Sequence, residues 1–291
     1  MKIPRSTQEM IPVKRILNDG TFVLDSGEYS KMFAFTDINY TELRDEEKMR
    51  RLVDYSALLN SIDKGIYAKI SIFFRPIRQE QFERDVLIPM NPEDELDDYR
   101  ENMNTVLREQ VRGTLGMTKQ AYLTITAGRR NDEDAAAFFA RVEGNLISSF
   151  QALGVELRAV PLSERLRLLH DIYRPGLEET FRFDAHAEKK LGMNWKDSIA
   201  PLSAEDLNSC THLKIGGRYC KTLFLNAYPI YLNDRIVSDI ASIGKPMIFT
   251  IDFLPIPSAE AMAEAESRSM AIDTKIVNYT LHQQRNGNYS G

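Results

Sequence analysis

The alternation of apolar and polar positions divides the chain into short strands and longer helices, without the regular cadence of a doubly wound sheet. Residues 12–17, 21–25 and 29–36 read as a small antiparallel meander with Gly20 and Gly27 at its turns. Thr41 then caps a predicted helix with Arg44 to Glu47 in its first turns. Its apolar stripe is Met49, Leu52, Val53, Leu58, Leu59 and Ile62, which leaves Arg50 and Arg51 as solvated charges on the opposite side. Ala68, Ile70, Ile72 and Phe74 alternate with Tyr67, Lys69, Ser71 and Phe73, the period of a strand. Asn91, Pro92 and the acids from Glu93 to Asp98 predict the opening of a helix that runs to about Arg112, because carboxylates favour a helix amino terminus. A strand over Ala121–Thr126 leads into the most regular helix, Asp132 to Leu153. Phe138, Phe139, Val142, Leu146, Ile147, Phe150 and Leu153 share one of its faces and Gly154 stops it.

A strand from Val155 to Val160 and a helix from Ser163 to about Tyr173 follow. From Tyr67 onward the order strand, helix, strand, helix, strand, helix predicts an α+β unit, a ferredoxin-like mixed sheet with helices packed on one face. Together with the small antiparallel N-terminal β element it fills residues 1–173. A second, smaller α+β lobe is expected over 174–256, opening at Arg174-Pro175-Gly176. It holds Trp195, a hairpin from Thr211 to Asn226, a short helix near Asp234–Ile243 and the alternating strand Met247–Phe253. Residues 257–291 read as a connecting helix with a thin apolar stripe of Met262, Met270, Ile272, Ile276 and Leu281. Such a helix wants a partner, and Met262, Met270, Ile276 and Leu281 are the candidate docking residues.

Charge narrows the field of functions. At a net charge of −5 the chain carries no global positive field for gathering nucleic acid. A basic stripe exists only if the fold gathers Lys64, Lys69, Arg75 and Arg78. No run approaches the roughly 18 apolar residues of a membrane span, and Met1–Arg5 lacks the apolar core of a signal peptide. Two cysteines make no disulfide framework, which fits a reducing compartment. Cys210, His212 and Cys220 lie close enough in sequence to raise a metal site. If Gly216-Gly217 is a two-residue hairpin turn, however, Ile215 opposes Arg218 and Leu213 opposes Cys220, so Cys210 and His212 fall on one face and Cys220 on the other.

No catalytic, cofactor-binding or metal-binding residue emerges. His170 sits beside Leu166 and Leu169 on a helix, and His186 is two residues from both Asp184 and Glu188, a spacing that does not bring side chains together on a helix. Ser6, Ser149 and Ser163 lack a nucleophile elbow. The Gly244-Lys245 pair is followed by Pro246, with Asp239 where a phosphate loop needs its first glycine, so no such loop can be read.

Two stretches do carry a resemblance. Ile11–Tyr40, ending in Phe33, Phe35, Asp37, Ile38, Asn39 and Tyr40, and Leu153–His170, with its Pro161-Leu162 helix opening, resemble the amino-terminal domain of the VirB-four (TrbE/CagE/TraC) class of conjugation and type IV secretion ATPases, in the form carried by Gram-positive conjugative elements. The resemblance implies a non-catalytic docking and assembly domain, cytoplasmic and peripheral at the inner face of the cell membrane. ATP and magnesium would be bound only by a motor domain, towards which the final helix would lead. It further implies as partners the inner-membrane components of a DNA-export channel, the motor itself and further copies of the chain. The alternatives are a stand-alone enzyme with an unrecognised pocket and a nucleic-acid-binding accessory protein of a mobile element.

Overall fold

The computed structural model describes residues 6–36, 43–62, 65–77, 79–91, 93–110, 117–184, 194–201, 211–215, 217–225, 239–240, 243–256 and 258–287. Its frame is a seven-stranded sheet. The strands are β1 (Val13–Ile16), β2 (Phe22–Leu24), β3 (Glu28–Phe35), β4 (Ile66–Pro76), β5 (Met117–Gly128), β6 (Leu157–Ala159) and, much later in the chain, Met247–Phe253. Helices α1 (Asp45–Asn60), α2 (Gln79–Asp85), α3 (Asp97–Gln110), α4 (Asp132–Ala152), α5 (Leu162–Tyr173), α6 (Trp195–Ile199) and α7 (Ser258–Gly287) complete the α+β architecture, with a separate hairpin of β7 (Leu213–Ile215) and β8 (Arg218–Cys220). Met247–Phe253 is therefore β9.

The sheet runs β1-β2-β3-β5-β4-β9, and β6 lies beside the far half of β3. Every pair among the described residues is antiparallel. β3, α1 and β4 make a crossover, but β3 and β4 do not touch, because β5 is inserted between them. α4 then leads back to β6 on the other side of β3, giving the order β6-β3-β5-β4 of a ferredoxin-like unit. That unit begins at Glu28 rather than Tyr67, so the last strand of the expected meander is its first. β3 can serve as a central strand because it is apolar on both faces: Tyr29 and Phe33 enter the core under α4, while Met32 and Ala34 face the core under α5.

The sheet continues on both sides of the unit, at the half of β3 that β6 leaves unpaired and along β4. The β1–β2 hairpin continues the sheet beyond β3, and β9 pairs with β4 from Ala68↔Phe253 to Phe74↔Met247. Strand 247–253, expected within the second lobe, thereby covers the long edge that β4 would otherwise expose.

Helices lie on both faces. α1 and α4 cover one, where Phe139, Leu146, Phe150 and Leu153 meet Phe33, Ala68, Ile70, Leu123 and Ile125. Asn131 caps α4, its side chain accepting the Asp134 N–H at 2.8 Å. α5 crosses the opposite face: Leu168 packs with Phe73 and Tyr122, and Leu162 and Leu166 pack with Ile11, Val13 and Phe22. The turn between β1 and β2 approaches the start of α5 so closely that a Cβ on Gly20, whose φ is +82°, would sit 2.6 Å from the Val160 carbonyl oxygen.

α6 folds back over the hairpin. Gln8 donates to the Asp197 carboxylate and the Ala200 carbonyl, Lys196 donates to the Gln8 and Ile11 carbonyls, and the Trp195 ring lies tilted with its centroid 6.3 Å from that of Phe22. α3 starts at Asp97, later than Asn91, because the acids upstream are used otherwise: Asp94 accepts from Leu96 N–H and from Arg100, and Asp97 accepts from Asn91 N–H and Arg100. Among the described residues no helix is long and apolar enough to cross a membrane.

Candidate functional site

The described parts of the two stretches that carry the resemblance, Ile11–Thr36 and Leu153–His170, meet in one place, while Asp37, Ile38, Asn39 and Tyr40 lie outside the described residues. Phe33, Ala34 and Phe35 pair with Ala159, Arg158 and Leu157, and α5 lies over the β1–β2 hairpin. Their junction is fastened by Arg165, only 5% exposed. Its guanidinium donates to the Gly20 carbonyl at 2.9 Å, the Ser30 carbonyl at 2.6 Å and Ser30 Oγ at 2.8 Å, and lies 3.8 Å from the Phe22 ring centroid. Loss of water around the cation lowers its pKa to about 9, opposed by Asp19, so it stays protonated at neutral pH. The sequence reading did not single out Arg165. The available signal was its position, three residues after Leu162 and four before Leu169 on the apolar stripe of α5.

The titratable groups of α5 form a second cluster. His170 is buried, with Nε2 3.3 Å from Thr180 Oγ1, Nδ1 3.5 Å from Asp171 Oδ1 and its ring edge-on to Phe181. Burial lowers its pKa, with Asp171 acting in the opposite sense. The arrangement places a base between a hydroxyl and a carboxylate. Yet Thr180 Oγ1 already donates to the Leu177 carbonyl at 2.6 Å and Asp171 is bound to Arg75 at 2.6 Å. The group acts as polar lining where α5 meets the 174–184 segment, with neither oxygen held as a nucleophile and its orienter.

The other sequence candidates are dispersed. Lys69 pairs with Asp252 at 3.3 Å, and Arg75 donates to Asp171 and Gln120, so these two charges form no open basic stripe. Lys64 and Arg78 lie outside the described residues, as do Cys210, His186 and Glu188. The β7–β8 hairpin has the expected register, Leu213↔Cys220 and Ile215↔Arg218, with Gly217 at φ +73°. His212 packs its ring edge-on to Tyr219, and among the described residues no group of three His, Cys, Asp or Glu side chains converges. Ser6 Oγ accepts the Glu9 N–H as a local turn. Asp94 is held at a pKa of about 2 by its hydrogen bonds with Arg100. A 680 Å³ depression at the end of β3, floored by Phe35, Gln120 and Tyr122, is rimmed by the Arg158–Glu164 pair at 2.9 Å.

What remains is surface. α7 runs for 30 residues, and none of its described side chains is buried. Met262 is 64% exposed, Met270 67% and Ile272 58%. Those of Ile276 and Leu281 lie outside the described side chains. α1 adds Met49, Leu52 and Val53, all exposed. A scan against protein-family models and a search of curated proteins each return no match.

Proposed function

We propose that this chain is a non-catalytic docking and assembly domain of a DNA-transfer ATPase of the VirB-four class, peripheral at the inner face of the cell membrane. The observation that supports this reading most is the meeting of Ile11–Thr36, the described part of the first stretch, with Leu153–His170. The segments that resemble the family, far apart in sequence, form one packed substructure through β3–β6 pairing and the contacts of Arg165. A resemblance confined to unconnected surface segments would carry less weight. The paired charges of Lys69 and Arg75 and the bound oxygens around His170 weigh against the nucleic-acid and enzyme alternatives.

In this role the chain binds no nucleotide of its own and presents helical apolar surface to its assembly. The test is conjugation from a host in which the chromosomal or plasmid copy carries Phe33→Asp or Arg165→Glu, scored beside binding of Mg-ATP to the purified chain. Transfer should be lost with either substitution, and titration calorimetry should give no nucleotide-binding heat. Undiminished transfer would overturn the reading, and so would a low-micromolar nucleotide site.

A further inference from the structure

The unburied helix α7 has an order of its own. Counted as heptads from Met262, the seam positions a and d are Met262, Ala265, Ser269 and Ile272, continued in sequence by Ile276 and Tyr279. The first four are exposed in the single chain. At about 1.5 Å per residue, 30 residues give a rod of about 45 Å, and helices standing without a packed face are marginal in water. The charges flanking the seam are sorted by side: Arg268 and Lys275 occupy g positions, and Glu266 and Asp273 occupy e positions.

We infer that α7 forms a parallel two-stranded coiled coil with α7 of a second copy of this chain. Charge sorting selects the occupant and its direction. In a parallel pair each g position faces the e position five residues on in the partner helix, which sets Arg268 against Asp273 on both sides of the seam. An antiparallel pair sets g against g and e against e, bringing Arg268 towards Lys275 and Glu266 towards Asp273, like charges that repel. In the single chain Arg268 bonds Glu264 one turn earlier, at 2.5 Å; dimerisation offers it a second carboxylate. Ala265 and Ser269 let the backbones approach closely, while Met262 and Ile272 supply apolar knobs. Met270 falls at position b, outside the seam. The inference rests on the pattern of α7 alone and stands apart from the DNA-transfer reading.

Sedimentation equilibrium of the full chain is the test. The wild type should move with concentration from 33.3 kDa towards twice that mass. Ile272→Glu should abolish the shift and Met270→Glu should leave it unchanged. Arg268→Asp and Asp273→Arg should each weaken association by about tenfold or more, and the double variant should restore it, since the swapped charges attract again. A monomer at every concentration overturns the inference. Equal loss from Met270→Glu and Ile272→Glu, or failure of the double variant to recover while its core remains folded by near-ultraviolet dichroism, overturns it too.

Discussion

α4 and α1 lie on the same face of the same sheet, yet one is a core helix and the other barely half of one. α4 buries Ala135, Phe138, Phe139, Leu146 and Phe150, the face its sequence announces. α1 buries only Leu58, and Met49, Leu52 and Val53 are 62%, 55% and 60% exposed. The inward face of α1 is instead Arg51, Tyr55 and Leu58, continued just past its end by Ile62, positions three and four residues apart. Arg51 reaches over to donate to the Leu153 carbonyl, one of the acceptors left open at the end of α4. A helix is oriented by what its neighbour needs: an arginine that serves a helix terminus can face inward while methionine and valine face out.

Shortening one side chain on each helix separates the buried face from the exposed one. Leu146→Ala should cost about 2–5 kcal/mol in urea unfolding, whereas Val53→Ala should stay within about 0.5 kcal/mol. Similar losses at the two sites would mean that both faces are equally buried. On the opposite side of the sheet, Arg165→Leu should cost about 1.5–3 kcal/mol, because hydrogen bonds from a charged donor are lost and the Gly20 and Ser30 oxygens stay buried. Arg51→Leu removes a single such bond at a half-buried site and should cost about 1 kcal/mol. A larger effect at Arg51 than at Arg165 would reverse the ranking of the two arginines.

The smallest expected effect is a slope with pH. His170 has a folded pKa below its ordinary 6.5, so the unfolded chain takes up its proton first. Its contribution is complete above that value and is lost as pH falls through 6.5 towards the folded pKa. The urea midpoint should therefore decline in that window, and His170→Gln should flatten this part of the curve. A midpoint that rises as the pH falls there would contradict the burial of a neutral imidazole.

Much of the frame was legible in the sequence. Period-2 alternation marked β4, β5 and β9, and the aromatic stripe of α4 needed no tertiary context. The hairpin register followed from one glycine pair. What escaped depends on long-range pairing. Nothing local says that strand 247–253 lies along β4 rather than in a lobe of its own, or that residues 194–200 return to Gln8 and Ile11. Polar groups that serve a structural partner are also hard to read from sequence: Arg51 reads as solvated, Arg165 is one polar position on an apolar stripe, and the Glu93–Asp98 acids suggest an earlier helix start than the one Arg100 leaves them. Of the candidate docking residues, Met262 and Met270 are exposed, and the heptad puts the first of these two on the seam and the second outside it; the side chains of Ile276 and Leu281 lie outside the described ones.

The molecule divides its labour between a closed core around α4 and α5 and an open α7 that is completed by association. Amide hydrogen exchange measured on the chain across a range of protein concentrations tests it directly. Exchange should be slow and independent of concentration in Ala135–Phe150 and Leu162–Leu168, while residues 258–287 exchange fast when dilute and gain protection as concentration rises. Strong protection of 258–287 already at the lowest concentration would show that α7 is ordinary core and not a surface completed by association.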